Sequence, residues 1–316
     1  MLEELKPDWN ELIALPANEK TRMLGTSLDA IFPWKDELSN EVDHAAFSGS
    51  FLIQPDLYLR LRPGKEDRVK QKLGNAGVKY NVINQTCLAL ENSAQVDKII
   101  ELDREAVVQD YNSQRVGELL NSARSFFHAH STPLRVYDCC AASGGKSILL
   151  YDLLKNIDLT VSDIRESILI NLKNRFERAG IKNYKAFLQD LTSAGKRPIV
   201  KKGDAFDLII ADAPCSGSGT WSRTPEQLYY FKPEKIEYYS SLQKTILENV
   251  IPLVKEGGYL LYITCSVFKK ENEEVISHLQ KQFNLSTVKM ELLKGYDMKA
   301  DSLFAALLQI NRSDLS

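Results

Sequence analysis

From residue 134 onward, the chain alternates short runs rich in β-branched residues with stretches of helical spacing. This alternation predicts a parallel sheet covered by helices on both faces. Ligands of such sheets bind at the carboxyl ends of the strands, so the residues that follow each apolar run are candidates for function. The predicted strands are LRVYDCC (134–140), DLTVSD (158–163), NYKAFLQD (183–190), AFDLIIADA (205–213), GGYLLYITC (257–265) and SLFAALLQI (302–310), and the predicted helices are 146–155, 165–179, 233–253 and one that begins near residue 270.

The chain before residue 105 has a weaker pattern. Residues 1–45 have helical spacing at NELIAL and TRMLGTSLDAIF, and residues 51–104 indicate a small α/β unit in which LYLRLR forms a strand. A length of 316 residues suits about two domains. We therefore predict an N-terminal region over residues 1–104 and a second domain over residues 105–316.

Charge is unevenly distributed within this N-terminal region. Residues 1–50 contain four Lys or Arg against ten Asp or Glu, whereas residues 58–80 contain seven basic residues against two acidic ones. The basic stretch could hold the backbone of RNA, which would make the N-terminal region an RNA-docking unit. A solvated helix and turn would give the same pattern, so both interpretations are open.

The sequence shows no targeting or disulfide signal. Its first residues, MLEELKPDWNELI, contain neither a basic leader nor an apolar segment, and no apolar run approaches the roughly 20 residues of a membrane span. We expect a cytoplasmic protein that does not enter a membrane. The five cysteines are odd in number and form no CxxC pair, which argues against a disulfide framework and a metal site. They are expected to be free thiols, with Cys87 and Cys139 as small buried residues.

A loop of small residues follows the first predicted strand, in YDCCAASGGKS (137–147). Ala141, Ala142, Gly144 and Gly145 would let a ligand approach the backbone closely, and the helix that follows offers free N–H groups. The loop lacks both GxGxxG and the phosphate-binding GxxxxGK[ST] spacing. It predicts a nucleoside cradle, with a tight strand-to-helix turn as the alternative.

Two acids end the next two predicted strands. Asp163 comes 19 residues after Gly144, where a carboxylate can accept hydrogen bonds from ribose hydroxyls, and Asp190 ends the following strand. Either residue alone could be a helix cap or a turn residue. Together with the small-residue loop, the two acids favour an adenosine site.

Two further strand ends carry thiols. Cys215 lies in DAPCSGSGT (212–220), and Cys265 lies in YITCS (262–266). Because parallel strands bring their carboxyl ends to one edge of a sheet, the two thiols can meet over one cleft despite their separation in sequence.

At these residues the chain resembles the Sun/Nop (Fmu-type, RsmB-like) RNA cytosine-5 methyltransferases. The similarity covers roughly residues 105–310. It implies a class I (Rossmann-like) methyltransferase sheet and a structured RNA substrate, either rRNA or tRNA, of which rRNA is favoured. The matching segments are VVQDYNSQ (107–114), CCAASGGKS (139–147), Asp163, Asp190, DAPCSGSGTWSRTPE (212–226) and YITCSVFKKENEEVI (262–276).

The resemblance also implies roles for individual residues. Asp163 would bind the ribose and Asp190 would lie near the adenine. Asp212 would contact the target base, Cys265 would be the nucleophile, and Cys215 would assist it. The residues expected to bind the cofactor S-adenosylmethionine are Cys140, Ala141, Ala142, Ser143, Gly144, Gly145, Lys146, Asp163, Asp190 and Asp212.

This chemistry explains why two thiols are needed. Carbon 5 of cytosine becomes nucleophilic only after a nucleophile adds at carbon 6, and a thiolate adds readily and leaves readily. Asp212 would stabilise the activated ring at its N3/N4 edge, as a proton donor if burial raises its pKa. The Cys265 adduct must then break, and Cys215 would assist this release.

Two positions depart from the family pattern. Ser143 replaces the usual proline of the cofactor loop, and YLRLRPGK lacks the asparagine of an LRxN segment. The second departure concerns RNA docking rather than chemistry.

Several alternatives are open. Lys146 could contact substrate or cofactor or cap its helix, and Arg223 could contact RNA phosphate or belong to a surface loop. The segment KRPIVKK (196–202) could join the stretch 58–80 in holding the RNA backbone, since basic residues make such contacts. The rival functions are a non-catalytic RNA-binding protein with the same fold and a nicotinamide oxidoreductase.

Overall fold

The structure is a computed structural model that describes residues 15–23, 25–128, 132–193 and 205–311. The basic segment 196–202 and residues 10–14 of the predicted NELIAL helix lie outside the described residues.

The main sheet has seven strands in the order β10-β11-β9-β8-β5-β6-β7. Strands β5 to β9 run parallel, as predicted, and they include all the strands that end at candidate functional residues. This arrangement confirms the Rossmann-like fold class. The strands are β5 (Leu134–Asp138), β6 (Ile157–Asp163), β7 (Tyr184–Leu188), β8 (Phe206–Asp212), β9 (Val254–Thr264), β10 (Leu285–Leu293) and β11 (Leu303–Ile310).

Two strands at one edge differ from the prediction. β10 was not predicted, and β11 pairs antiparallel with both β9 and β10, so the prediction of a wholly parallel sheet was wrong there. The chain reaches β11 from β10 through a short connection, without a crossover helix, and a short connection favours antiparallel pairing. β10 escaped detection because it is an edge strand whose middle residues are partly exposed and charged, including Lys289 and Glu291.

Helices cover both faces of this sheet, as predicted. On one face, Ile148 and Phe176 belong to the same apolar cluster as Val136 and Leu261 of the sheet. On the other face, the helices that contain Leu247 and Ile276 pack against Ile209 and Tyr262. No helix among the described residues is long and apolar enough to span a membrane. The helices of this part are α4 (Tyr111–Arg115), α5 (Arg124–His128), α6 (Gly145–Leu154), α7 (Glu166–Ala179), α8 (Gln227–Tyr230), α9 (Glu234–Val250) and α10 (Glu273–Gln282).

The N-terminal region contains a separate antiparallel sheet in the order β2-β3-β1-β4. Leu59 and Leu88 of this sheet pack with Val69 and Leu73 of a helix. Of these four strands the sequence predicted only LYLRLR, and β4 extends the unit beyond residue 104. Its elements are β1 (Leu57–Leu61), β2 (Tyr80–Asn84), β3 (Cys87–Leu90) and β4 (Ala106–Val108), with helix α3 (Glu66–Asn75), and they follow α1 (Ala17–Met23) and α2 (His44–Ser50).

Residues 28–51 contact the main domain rather than the small sheet. Leu38 forms a β-bridge with Phe268, three residues after Cys265, and the backbone N–H of Ser39 donates to the carbonyl of Val267 at 2.8 Å. An aromatic cluster seals this contact by packing large rings edge-on and tilted against one another. Its members are Phe32, Trp34, Phe47, Phe51, Trp221, Phe231, Phe268 and Tyr296.

The small sheet is joined to the main domain by buried ion pairs. Asp152 of α6 accepts hydrogen bonds from Arg60 Nη1 and Arg62 Nη2, both at 2.6 Å. The Asp152 side chain is 6% exposed and that of Arg60 is 5% exposed. The RNA contacts considered for Arg60 and Arg62 are therefore contradicted, because these side chains lie inside the molecule and are already paired.

Candidate active site

A cavity of about 340 Å³ opens at the carboxyl ends of β5, β6, β8 and β9. It brings together residues from four predicted segments, because the carboxyl ends of parallel strands lie at the same edge of the sheet. Among the predicted site residues, those that line it are Cys140, Ala142, Asp163, Asp212, Cys215 and Cys265.

The two predicted catalytic thiols are in contact. The Sγ atoms of Cys215 and Cys265 lie 3.2 Å apart, and both cysteines are free. β8 and β9 are neighbouring parallel strands, with Asp212 opposite Ile263, so the loops that follow them meet. The hydrogen bond to Cys265, burial and the carboxylate of Glu271 raise the pKa of Cys215 well above its usual value.

Close packing of the two loops requires a glycine. The backbone N–H of Gly219 donates to the carbonyl of Cys265 at 2.9 Å, and the N–H of Ser302 donates to the carbonyl of Gly219 at 2.9 Å. A Cβ at Gly219 would lie 2.0 Å from the carbonyl oxygen of Ser302, a distance that no side chain could occupy. Gly219, the second glycine of the PCSGSG segment, thus allows the Cys215 loop to pack directly against the Cys265 loop.

Lys146 places a positive charge beside Asp212, where it also interacts with Cys265. Its Nζ donates to Asp212 Oδ2 at 3.0 Å, and the lysine side chain is only 11% exposed. Burial acts to lower the pKa of Lys146, but its interactions with Asp212 first, and then with Cys265 and Asp138, raise it above its usual value. The position before α6 is taken by Gly144, so Lys146 does not cap this helix. Its contact with substrate or cofactor stays a prediction.

Asp138, the last residue of β5, is a buried acid that is absent from the predicted site residues. Ser147 Oγ donates to its Oδ2 at 2.6 Å, while its Oδ1 has no hydrogen-bond partner in the structure. Complete burial, together with the nearby Asp212, raises its pKa to about 7. The signal that identified Asp163, an acid at a strand end, applies equally to Asp138.

The predicted cofactor loop turns tightly through two residues with positive φ. Ala142 has φ +44° and Gly144 has φ +85°, both in the left-handed region. A Cβ at Gly144 would lie 2.6 Å from the ring of Phe176, so this glycine also lets α6 pack closely against α7. Cys140 is partly exposed at the cavity, whereas Cys139 is buried, as predicted, and so is Cys87.

Ser143, which replaces the usual proline, is anchored by Arg175. The Nη1 of Arg175 donates to the Ser143 carbonyl at 3.1 Å and to its Oγ at 2.9 Å. The same guanidinium donates to Asp103 Oδ1 through Nη2 at 2.7 Å. The loop is thus held by hydrogen bonds to Ser143, where the family usually has the rigid ring of a proline. Through Arg175 the loop is also connected to Asp103, in the segment that leads into β4.

Asp163 lies at the cavity, but its carboxylate is already engaged. It accepts from the N–H of Ala142 at 3.0 Å and from Arg165 Nε at 3.0 Å. Burial would raise the pKa of Asp163, yet the hydrogen bonds and charge of Arg165 hold it below its usual value. A ribose at this site would share the carboxylate with an arginine that is itself 57% exposed.

Asp190 occupies a turn. Its Oδ1 accepts from the N–H of Thr192 at 2.8 Å and its Oδ2 accepts from Ser193 Oγ at 3.1 Å. The cavity is lined in this region by Gln189, Leu191 and Thr192. The contact between Asp190 and adenine stays a prediction.

Arg223 holds the two parts of the molecule together. It donates to Asp301 Oδ1 at 2.7 Å, to Asp110 Oδ2 at 2.9 Å and to the carbonyl of Asp56 at 3.2 Å. A guanidinium committed to two carboxylates and a carbonyl is not free for phosphate. The RNA contact considered for Arg223 is therefore contradicted.

Comparisons with known proteins identify relatives of this chain. Residues 128–310 match the family model of the 16S rRNA methyltransferase RsmB/F. The chain is 35% identical over 231 residues to a probable ribosomal RNA small subunit methyltransferase B of Bacillus subtilis, covering 71% of this chain and 49% of that protein. It is 31% identical over 265 residues to the ribosomal RNA small subunit methyltransferase B of Xylella fastidiosa, covering 81% and 60%. The chain thus spans about half to three fifths of the length of these relatives.

A solved structure supports the same relationship at the level of the fold. The structure of NSun6 from Pyrococcus horikoshii, solved with SFG, aligns with a TM-score of 0.72 at 14% identity, over 91% of this chain and 98% of NSun6. The family model covers more than half of the chain, including both thiol loops and the cofactor loop. The chain therefore belongs to the 16S rRNA methyltransferase RsmB/F family.

Proposed function

We propose that this protein is an S-adenosylmethionine-dependent RNA cytosine-5 methyltransferase that acts on small-subunit rRNA through a covalent bond between Cys265 and carbon 6. The observation that carries the proposal is the 3.2 Å separation of the Cys215 and Cys265 sulfur atoms, in a cavity that the cofactor loop also lines. The choice of rRNA rests on the relatives, whose names specify the small ribosomal subunit.

The cavity residues fit the proposed cofactor. The Asp163 carboxylate can accept hydrogen bonds from ribose hydroxyls, and Ile164 and Leu191 offer apolar walls for a nucleobase. The segment Cys140 to Lys146 supplies the small residues beside which the rest of the molecule would lie. When bound, S-adenosylmethionine supplies a methyl group on a positively charged sulfur.

The surroundings of Cys265 favour its role as the nucleophile. The Lys146 ammonium interacts electrostatically with Cys265, and a nearby cation stabilises a thiolate. The Cys265 thiolate forms the bond from sulfur to carbon 6, and the π electrons of the ring move to carbon 5. Lys146 also fixes the Asp212 carboxyl by its hydrogen bond, which leaves the second Asp212 oxygen to meet the N3/N4 edge of the base.

Cys215 is suited to the release step. Once Cys265 is bonded to carbon, it no longer bears the charge that disfavours a Cys215 thiolate. Cys215 can then release its own proton to solvent. After carbon 5 has received the methyl group, the Cys215 thiolate accepts the proton from carbon 5, the C5–C6 double bond re-forms, and the bond from sulfur to carbon 6 breaks, so that Cys265 leaves as a thiolate. The environment thus makes Cys215 a better base at the stage when the reaction needs one.

The function is tested by supplying the purified protein with labelled S-adenosylmethionine and, in separate reactions, with 30S subunits, 16S rRNA or tRNA from cells that lack the gene. We expect label in the rRNA and a new 5-methylcytosine by bisulfite sequencing, and no label with Cys265→Ala. Label in tRNA alone would refute the choice of rRNA. Binding of rRNA without methyl transfer would refute the catalytic proposal and support the non-catalytic alternative.

A further inference from the structure

A buried carboxylate lies beneath the two thiols. Glu271 is fully buried and ends the short helical turn that precedes α10. Its Oε2 accepts from the backbone N–H of Ser216 at 2.8 Å and from Gln243 Nε2 at 3.1 Å, and its Oε1 accepts from Ser266 Oγ at 2.8 Å. One side chain therefore binds three separate segments of the chain.

Two of these partners are sequence neighbours of the thiols. Ser216 follows Cys215, and Ser266 follows Cys265. Ser216 Oγ and Ser266 Oγ are themselves 3.2 Å apart, so the serines repeat the contact that the cysteines make. The carboxylate of Glu271 thus bridges the loop after β8 and the loop after β9 at the positions that orient the sulfur atoms.

We propose that Glu271 is the positioning residue for both thiols: its carboxylate joins the two loops, sets the separation of Cys215 and Cys265, and makes the two sulfur atoms electrostatically unequal. The role in the reaction rests on the proposed function, whereas the effect of Glu271 on the thiols does not depend on it. Glu271 lies 56 residues after Cys215 and outside the sequence motif of that cysteine.

The hydrogen bonds favour the ionised form of Glu271. Burial raises the pKa of this carboxyl above its usual value, and the three donors act against that rise because they stabilise the anion. This anion is one of the groups that raise the pKa of Cys215.

The other titratable groups around the thiols keep them unequal. Tyr239 of α9 and Tyr262 of β9 interact with Cys215, and their own pKa values lie above the usual range, so they are neutral. Cys265 also acts on Cys215, through a hydrogen bond and through its charge interaction. Lys146 interacts with Cys265. Cys215 therefore interacts with an anion, while Cys265 interacts with a cation, and a nearby cation favours the thiolate form of a cysteine.

The proposal is tested on the purified full chain without RNA, by iodoacetamide labelling of each cysteine as a function of pH, read by mass spectrometry. Glu271→Gln removes the charge and preserves the size of the side chain. We expect the midpoint for Cys215 labelling to fall by roughly one pH unit, because a nearby negative charge disfavours the thiolate. Glu274→Gln, on an exposed acid three residues further on, is the matched control and should leave the midpoint unchanged.

A second measurement tests the geometry. Diamide takes two electrons and two protons from a pair of thiols, and the parent should form the disulfide between Cys215 and Cys265 rapidly because the sulfur atoms are in contact. Glu271→Ala should form it several-fold more slowly, with the fold checked by circular dichroism. If this variant does not fold, the rate of disulfide formation in Glu271→Gln decides the positioning part.

An unchanged Cys215 midpoint in Glu271→Gln would overturn the electrostatic part of the proposal, and an unchanged disulfide rate in a folded Glu271→Ala would overturn the positioning part. Failure of the proposed function would appear differently, as a parent protein that transfers no methyl group while its thiols still respond to Glu271.

Discussion

Asp152 is expected to be a main determinant of stability, because it holds the small sheet onto the main domain. Its carboxylate pairs with Arg60 and Arg62 at 2.6 Å each, and Arg62 Nε also donates to it at 3.2 Å. The side chain of Arg60 is 5% exposed, that of Arg62 is 11% exposed and that of Asp152 is 6% exposed. Among the contacts of the described residues, Asp152 provides the only negative charge that pairs with the buried guanidinium groups of Arg60 and Arg62. Replacing Asp152 by Asn removes this charge.

The magnitude follows from this burial. Removing one partner of a buried ion pair typically costs about 3–5 kcal/mol, because it leaves an uncompensated charge inside the protein. For a chain of this size, each kcal/mol lowers Tm by about 2–4 °C. Asp152→Asn should therefore lower Tm by roughly 6–20 °C. The burial of Arg60 already acts to lower the pKa of its guanidinium, and Asp152 is the group that opposes this effect.

The assay is urea unfolding and thermal unfolding of the parent and three variants. Asp152→Asn and Arg60→Gln should both be strongly destabilised. Lys65→Gln changes a partly exposed cation in the same basic stretch and should stay within about 0.5 kcal/mol of the parent. If Asp152→Asn unfolds like the parent while Arg60→Gln loses RNA affinity, the burial argument is refuted and the stretch is an RNA surface.

Three further predictions concern the site itself. Cys265→Ala should form no covalent complex with substrate RNA, whereas Cys215→Ala should accumulate a denaturant-resistant adduct on a denaturing gel; an adduct with Cys265→Ala instead would exchange their roles. Asp163→Ala should weaken S-adenosylmethionine binding by roughly 1–3 kcal/mol in calorimetry, and unchanged affinity would count against the ribose contact. Asp138 has a folded-state pKa of about 7, above the unfolded value of about 4. Because the folded state binds this proton more tightly, the free energy of unfolding falls as pH rises from about 4 to about 7. Asp138→Asn should flatten that decline in unfolding measurements from pH 4 to pH 7, and a profile parallel to the parent's would contradict the assignment.

The sequence contains enough information to locate the site because strand ends are marked locally. Each of the runs that end near Cys140, Asp163, Cys215 and Cys265 is a few residues long, and the polar residue that follows it marks the edge of the sheet. Parallel pairing then brings these ends to one cavity, which the structure shows. Edge strands such as β10 lack this signal because partial exposure on both faces removes the apolar run.

The sequence by itself therefore determined the fold class, the family and the position of the two thiols, since these depend on periodicity and on motifs of neighbouring residues. Only the tertiary structure decided which charges are available. From the sequence, Arg60 and Arg62 are predicted to belong to an RNA-binding surface. In the structure both side chains are buried and pair with Asp152, which is 92 residues from Arg60 along the chain. Glu271 likewise gains its place between Ser216 and Ser266 only when β8 and β9 lie side by side. Burial and pairing are properties of groups that meet in space, and they set the charge and pKa of a side chain more strongly than its neighbours along the chain do.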